Sequence, residues 1–366
     1  MERVLTNKAN WLAAHGYKVV IVTTDQRGRA PYFTLDSSIK TYDLGINYDE
    51  NNGRSFPHKA LHFPVKQWRH RRRLATLLKQ LKADIVVCMF NNDVSFVYNI
   101  KDGSRKILEA HFSKNKKLQY GRKGLWALAD RWRTWREERI VRKYNRFVVL
   151  THEDKALWGD LPNICVIPNA RTFETSLQAD LTQHRVLAVG RLDYQKGFDR
   201  LIEIWTRVKR SPSPAPPVGG RDYWQLDIVG SGPLRDELQK QINGHGLQDS
   251  VHILAPRTDI LSEYLRSSIF AMTSHYEGLP MVLIEAQTVG LPIVAFACPC
   301  GPRDIITNDV NGFLIPDDDE KLFAERLTTL MSNEILRQRM GKAAVINSKA
   351  YSEERIMQQW QEIFKS

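Results

Sequence analysis

The sequence predicts an α/β fold made of two doubly wound, Rossmann-like domains. Two observations carry that expectation. Short runs rich in Val and Ile recur roughly every 20–40 residues with helical patterns between them, the rhythm of βα units on a parallel sheet. At 366 residues the chain is also too long for one core and suits two.

The opening stretch, MERVLTNKANWLAAHGYKVVIVTT, reads as an amphipathic helix over 4–14 and a buried strand over 17–24. Further strands are expected at 39–45, 83–90, 105–111, 146–151 and 164–169. The second half repeats the pattern more cleanly, with strands at 185–190, 224–230, 251–254, 269–274, 292–296 and 312–316. Helices are expected over 197–209, 233–244, 259–266, 281–289, 303–308, 319–331 and 333–348. The polar stretch 170–184 lacks an apolar period, so the first domain is expected to hold residues 1–170 and the second 171–349. The helix at 352–364 carries Ile356, Trp360 and Phe364 on one stripe, and 350–366 is expected to return to the first domain. SPSPAPPVGG (211–220) reads as a surface loop enlarged by insertion.

Composition narrows the class. Hydrophobic content of 42% and charged content of 26% are ordinary for a soluble globular protein. No apolar run approaches the roughly 20 residues of a membrane span. The first residues do not follow signal-peptide order. Cys88, Cys165, Cys298 and Cys300 are too few for a disulfide scaffold and point to a reducing cytoplasm. Cys298-Pro-Cys300 lacks the second Cys/His pair of a structural zinc site and reads as ordinary thiols.

The net charge of +12 is unevenly placed. Residues 1–180 hold 32 Lys and Arg against 18 Asp and Glu; residues 181–366 hold 21 against 23. A one-sided basic domain implies an anionic partner. The stretch 66–82 sets Leu74, Leu77, Leu78 and Leu81 on one stripe among cations. The stretch 114–146 mixes cations with Trp126, Trp132 and Trp135. Tryptophan beside lysine and arginine suits an anionic membrane surface. Nucleic acid is the competing partner, but no recognised motif for it is present, so none is expected.

Three strand-end loops in the second half carry chemistry. In VGRLDYQKGF (189–198), Arg191 and Lys196 follow a strand that ends at Gly190, where open α/β sheets bind ligands. A guanidinium forks onto phosphate oxygens and an ammonium supplies a point charge. In VGSGP (229–233), Gly230 and Gly232 permit close backbone approach, and Pro233 is expected at the first helical position. In SHYEGLPMVLIEA (274–286), Pro280 marks a helix start. Free N–H groups of Gly278, Leu279, Met281 and Val282 then face the strand-end crevice, a setting that favours phosphate. Glu277 and Glu285 offer acceptors to hydroxyls, whereas the plain structural alternative has Glu277 capping the helix and Glu285 solvated. Cations, glycines and two acids at a helix N-terminus together describe a diphosphate-and-hydroxyl ligand, a nucleotide sugar.

With these motifs the chain resembles a retaining glycosyltransferase of family 4 with the two-domain fold called GT-B. The resemblance covers nearly the whole chain and is most specific over 185–345. Glu277 and Glu285 match the family's EX7E element. Gly190, Arg191, Lys196 and Gly197 match its phosphate loop, and GPRDII (301–306) and NGFLIP (311–316) match two further segments. The resemblance implies two domains facing a central cleft. It implies that Arg191 and Lys196, with Gly190 and the backbone of Gly278, Leu279, Met281 and Val282, hold the donor diphosphate. Glu285 would bond the ribose, Arg257 the base, and Glu277 the transferred sugar. Gly230 and Gly232 would line the turn near the donor. In LEAHFSKN (108–115), His111 would act near the sugar and the acceptor, making Glu277 and His111 the catalytic pair. No cofactor is implied: the nucleotide sugar is a substrate and no metal is required. Asp317-Asp318-Asp319 matches a DxD metal motif, but it opens a helix, where acids cap.

The implied function is transfer of a sugar, from UDP by frequency in the family, to a growing, lipid-linked glycan. The setting is bacterial surface polysaccharide synthesis at the cytoplasmic face. The alternatives are a non-catalytic nucleotide-sugar-binding protein and a basic membrane-associated scaffold. In the family the first helix follows a strand and a glycine pair in the pattern GG-x-E-R-V-L, of which Glu2-Arg3-Val4-Leu5 matches only the end. A missing first strand would leave a slot beside strand 18–24, lower stability and leave activity weak or absent, and restoring an upstream segment is expected to recover both stability and activity.

Overall fold

A computed structural model describes residues 2–51, 53, 55–115, 124–210 and 224–365. The loop expected at 211–220, residues 116–123 of the tryptophan-bearing stretch and the Trp126 side chain lie outside the described residues. The chain divides into two compact units. Unit 1 comprises Met1–Val149, Lys155–Ile167 and Met357–Ser366; unit 2 comprises Leu150–Asp154 and Pro168–Ile356.

Unit 1 opens with α1 (Glu2–Ala14), β1 (Val20–Thr23), β2 (Lys40–Asp43) and α2 (Phe56–Leu81). It continues with β3 (Ile85–Met89), β4 (Arg105–Glu109), α3 (Leu125–Val141), β5 (Arg146–Val149) and β6 (Ile164–Val166), while α4 (His152–Trp158) starts in unit 2 and belongs to unit 1 from Lys155. Every pairing is parallel, but the strands form two sheets: β1-β2, and β3-β4-β5-β6. The run at 17–24, expected as a buried strand, forms β1 over Val20–Thr23 alone and is half-buried there. Among the described residues it pairs with β2 alone, so its other edge lacks the neighbour that would enclose it. β4 and β5 have neighbours on both sides and are nearly sealed.

α2 starts ten residues before the basic stretch that marks it in the sequence. Pro57 stands in its first turn, where no N–H is missed; Pro64 lies inside and removes one i to i−4 bond. The helix tolerates this because Leu74 and Leu78 further along anchor it in the core. Its exposed side carries Leu61, Val65 and Trp68.

Unit 2 holds one six-stranded parallel sheet. Its strands are β7 (Arg185–Val189), β8 (Gln225–Val229), β9 (Val251–Leu254), β10 (Ile269–Met272), β11 (Ile293–Phe296) and β12 (Gly312–Ile315). Their spatial order is β12-β11-β10-β7-β8-β9, the doubly wound order, and it reverses between β7 and β10. Helices α5 (Phe198–Arg210), α6 (Arg235–Gly244), α7 (Ile260–Leu265), α8 (Met281–Thr288), α9 (Pro302–Ile305), α10 (Glu320–Ser332) and α11 (Glu334–Ser348) cover the faces. Alternate strand residues split between two cores, as the period of two requires. Val186, Ala188 and Phe296 pack with Trp205, Trp224 and Phe323; Leu187 and Ala295 pack with Phe270, Leu283 and Tyr264.

α12 (Glu353–Lys365) begins in unit 2 and continues into unit 1 from Met357. Ile356 and Trp360 of its apolar stripe are fully buried, and Phe364 lies against Tyr17 of unit 1.

Candidate functional site

The crossover between β7 and β10 sets the site in unit 2. Parallel strands that wind in opposite directions leave a crevice between their carboxyl ends. The loop after β7 bears Lys196, and the loop after β10 bears Glu277. Lys196 Nζ lies 2.7 Å from Glu277 Oε1 across that crevice. Ser274 donates its hydroxyl to the same oxygen at 2.7 Å. Glu277 is 7% exposed, so its carboxylate has exchanged water for these two partners. It does not cap α8: Pro280 precedes that helix, which has no side-chain cap. The first N–H groups of α8, on Met281 and Val282, have no partner within the helix by its geometry.

The two loops are laced together. His275 N–H donates to Gln195 O at 2.8 Å, and Gln195 Nε2 donates to Tyr276 O at 3.0 Å. The rings of Tyr194 and His275 stack at 4.3 Å. Burial, joined by the Arg200 charge, lowers the His275 pKa, which keeps that ring neutral. Thr273 Oγ1 donates to Gly197 O at 2.8 Å. Gly197 is held at φ +59° with its α-carbon against Thr273 O, and a side chain there would strike that carbonyl.

Arg191 behaves differently from Lys196. Its guanidinium meets Asp193 at 2.7 Å and is 73% exposed. Gly190 packs against the Lys196 side chain, and a Cβ on Gly230 would collide with Gly190 O. A Cβ on Gly232 would likewise meet Leu192 O. These glycines hold the β7 and β8 loop ends together, a packing role in the first instance. α6 starts at Arg235, not at Pro233 as expected, because Pro233 and Leu234 form the turn that precedes it.

Glu285 is 8% exposed and is not solvated. Thr172 donates to its Oε1 at 2.6 Å and Tyr264 to its Oε2 at 2.7 Å. Burial, reinforced by the adjacent Glu285 charge, pushes the Tyr264 hydroxyl well up, so it stays a proton donor. Neither partner was legible in the sequence: Thr172 is 113 positions from Glu285, and no local pattern links them. Arg257, after β9, is half-exposed, with Nε 3.4 Å from Glu263 Oε1.

The Asp317-Asp318-Asp319 run is divided in use. Asp319 alone caps α10, accepting from Leu322 N–H at 3.0 Å. Asp317 and Asp318 bind Arg200, whose guanidinium also reaches Thr273 O. This corrects the expectation that all three cap, and it ties the run to the base of the β10 loop. Among the described residues, no group of three or more His, Cys, Asp or Glu is placed to hold a metal. Cys298 and Cys300 are buried thiols, and that of Cys300 donates to Asp154 Oδ1 at 3.9 Å.

In unit 1, His111 lies two residues past β4. Its Nε2 sits 3.3 Å from Glu109 Oε1. Lys8 of α1 reaches both oxygens of Glu109, at 2.6 and 2.7 Å. Burial alone would raise the Glu109 carboxyl, but Lys8 and His111 outweigh it and hold it at about 2. Lys8 and Glu109 carry no motif, and no local pattern marks either of them. On α3, Trp132 and Trp135 are about half exposed, each beneath an arginine, Arg136 and Arg139.

Residues 1–172 match the family model described as glycosyltransferase family 4, and residues 170–345 match that of glycosyl transferases group 1. The chain is 30% identical over 369 residues to an uncharacterized glycosyltransferase of Haemophilus influenzae, covering 99% of this chain and 95% of that one. The chain belongs to this family of glycosyltransferases. It is also 42% identical over 229 residues to the amylovoran biosynthesis glycosyltransferase AmsD of Erwinia amylovora, a match spanning 60% of this chain and 61% of the relative. The fold is shared with Anabaena HepE, solved with UDP and glucose, at a TM-score of 0.70 and 16% identity over 100% of this chain and 95% of that one.

Proposed function

We propose that the chain moves a sugar from a nucleotide donor, UDP-linked, to a growing lipid-linked glycan with retention of configuration, in the assembly of a bacterial surface polysaccharide. The observation that carries this is the meeting of Lys196 and Glu277 at the switch point of the unit 2 sheet, beside the N-terminus of α8. An ammonium, free helix N–H groups and a buried carboxylate suit a diphosphate joined to a polyhydroxyl ring. The amylovoran relative supports the polysaccharide setting, and the UDP and glucose held by HepE support the donor.

In this reading Lys196 and Arg191 bind the diphosphate with the backbone of Gly278, Leu279, Met281 and Val282. Glu277 accepts from hydroxyls of the transferred sugar, and Glu285 accepts from the ribose. Arg257 meets the base. The bond from the anomeric carbon to the phosphate oxygen breaks as the acceptor hydroxyl attacks the same face. Its proton passes to the departing phosphate oxygen, so no side-chain nucleophile is assigned. The donor site is read without a metal, its charges supplied by Lys196, Arg191 and the α8 terminus. Unit 1 takes the acceptor, with His111 meeting a hydroxyl. Its exposed Trp68, Trp132 and Trp135, set among arginines, favour an anionic membrane surface.

Turnover with a panel of UDP-, GDP- and ADP-sugars tests the proposal. Transfer from one donor class, abolished by Lys196→Ala, is the expected result. A fully active Lys196→Ala protein overturns the assignment of the site. Flotation with anionic vesicles at varied salt tests the membrane reading, and absence of binding refutes it.

A further inference from the structure

We infer that Glu109, held by Lys8, is a positioning residue that turns Nε2 of His111 inward and presents Nδ1 as an acceptor for a substrate hydroxyl. This rests on the reading that unit 1 takes a hydroxyl-bearing acceptor.

Lys8 and Glu109 are 12% and 3% exposed at their side chains, and form an ion pair inside the protein. Removing both charges from water costs about what their attraction returns, so apolar residues of similar size would stabilise the unit as well or better. The pair is therefore poorly explained as a stabilising device. What it supplies is orientation. Lys8 Nζ touches both carboxylate oxygens, at 2.6 and 2.7 Å, which fixes the plane of the carboxylate. Trp360, 1% exposed, closes over the same ammonium with its ring centre 3.7 Å away. Lys8 is thus held between one carboxylate and one aromatic face.

The carboxylate so fixed lies beside His111. The two residues are separated by Ala110 at the carboxyl end of β4, the end of a parallel strand where ligands gather. His111 Nε2 is enclosed and 3.3 Å from Glu109 Oε1, with its N–H direction off the line of a hydrogen bond. A carboxylate at that distance favours the tautomer whose proton is on Nε2. Nδ1 makes no hydrogen bond among the described residues, so its lone pair remains for a hydroxyl. Hydrogen bonds of this kind are often long before substrate binds and tighten afterwards.

The tautomer can be read directly by nitrogen-detected NMR of protein labelled at histidine, with the His111 signals assigned by their loss in His111→Asn. The Nε2–H form is expected to dominate in the natural sequence. Lys8→Met and Glu109→Gln are expected to shift His111 toward a mixture, and Lys8→Arg, which keeps the pair, is expected to leave it unchanged. A proton on Nδ1 or evenly shared in the natural sequence overturns the inference, and this holds even where a variant fails to fold. A tautomer indifferent to both Lys8→Met and Glu109→Gln overturns it too. Once a donor and acceptor are in hand, Glu109→Gln should lower turnover tenfold or more with the KM for the nucleotide sugar unchanged. An equal fall in a variant whose His111 tautomer is unaltered counts against it. Full activity of His111→Ala would refute the acceptor reading alone, since the tautomer is measured without substrate.

Discussion

The Lys196–Glu277 contact allows a quantitative test of whether the two loops act as one unit. At 2.7 Å and an effective dielectric near 20, opposite charges attract by roughly 6 kcal/mol before desolvation is counted. Lys196 is 18% exposed and Glu277 7%, so screening by water is modest but most of that attraction offsets lost hydration. Lys196→Met leaves Glu277 inside the protein with Ser274 as its one remaining strong partner. The expected cost is about 2–4 kcal/mol, within the range for breaking an enclosed pair. Glu277→Gln alone should cost less, because its amide still accepts from Ser274 and Lys196 keeps some access to solvent. In the double variant no charge is stranded, so the costs should fail to add by about 1–3 kcal/mol. The assay is native-state hydrogen exchange of the β10 and α8 amides, which reports opening of this region without requiring the two units to unfold together. Binding of UDP by calorimetry gives the functional arm: both Lys196→Met proteins should lose it, whereas stability returns in the double variant. A coupling below about 0.5 kcal/mol, or UDP binding that survives Lys196→Met, would refute the reasoning.

Three further outcomes follow from the geometry. Gly230→Ala places a methyl against Gly190 O and should destabilise unit 2 by about 1–3 kcal/mol or more, seen as a lowered melting temperature; an unchanged melt would show that the loop ends are not packed as described. Glu285→Ala should erase the preference for UDP over its 2′,3′-dideoxy analogue, measured by competition, because the preference resides in ribose hydroxyls; a retained preference removes Glu285 from the ribose. Burial, only partly opposed by Asp25, lowers His70 from 6.5 to about 4 in the folded state. The unfolded chain therefore takes up that proton first. Unit 1 should lose on the order of 3 kcal/mol as pH falls from about 6.5 to 4, and His70→Gln should flatten that stretch of a urea-unfolding pH profile.

Much of this protein was legible because its signals are local. Every strand segment expected from Val and Ile runs is a strand, since a run enclosed between helices has few other ways to bury itself. The Lys196 loop, the glycine turn and Glu277 before Pro280 were found because loops after parallel strands converge by topology. α2 was legible only from residue 66 on, where the Leu74 and Leu78 stripe lies; its first turns, with Pro57 and Pro64, carry no such stripe and belong to the helix that those leucines anchor in the core. The Asp317–Asp319 run looked uniform, yet Arg200, more than a hundred residues earlier, takes two of its three carboxylates.

The α/β alternation, the loops that carry cations and acids, and the basic bias of residues 1–180 are all written in the order of the amino acids. Which groups meet is settled by the folded chain. It paired Lys196 with Glu277, closed Thr172 and Tyr264 on Glu285, and set Lys8 and Glu109 behind His111. It also left β1 with a single neighbour among the described residues. The reason is physical: hydrophobic periodicity is a property of a few consecutive residues, whereas a buried polar contact depends on where distant backbones bring two side chains within about 3 Å.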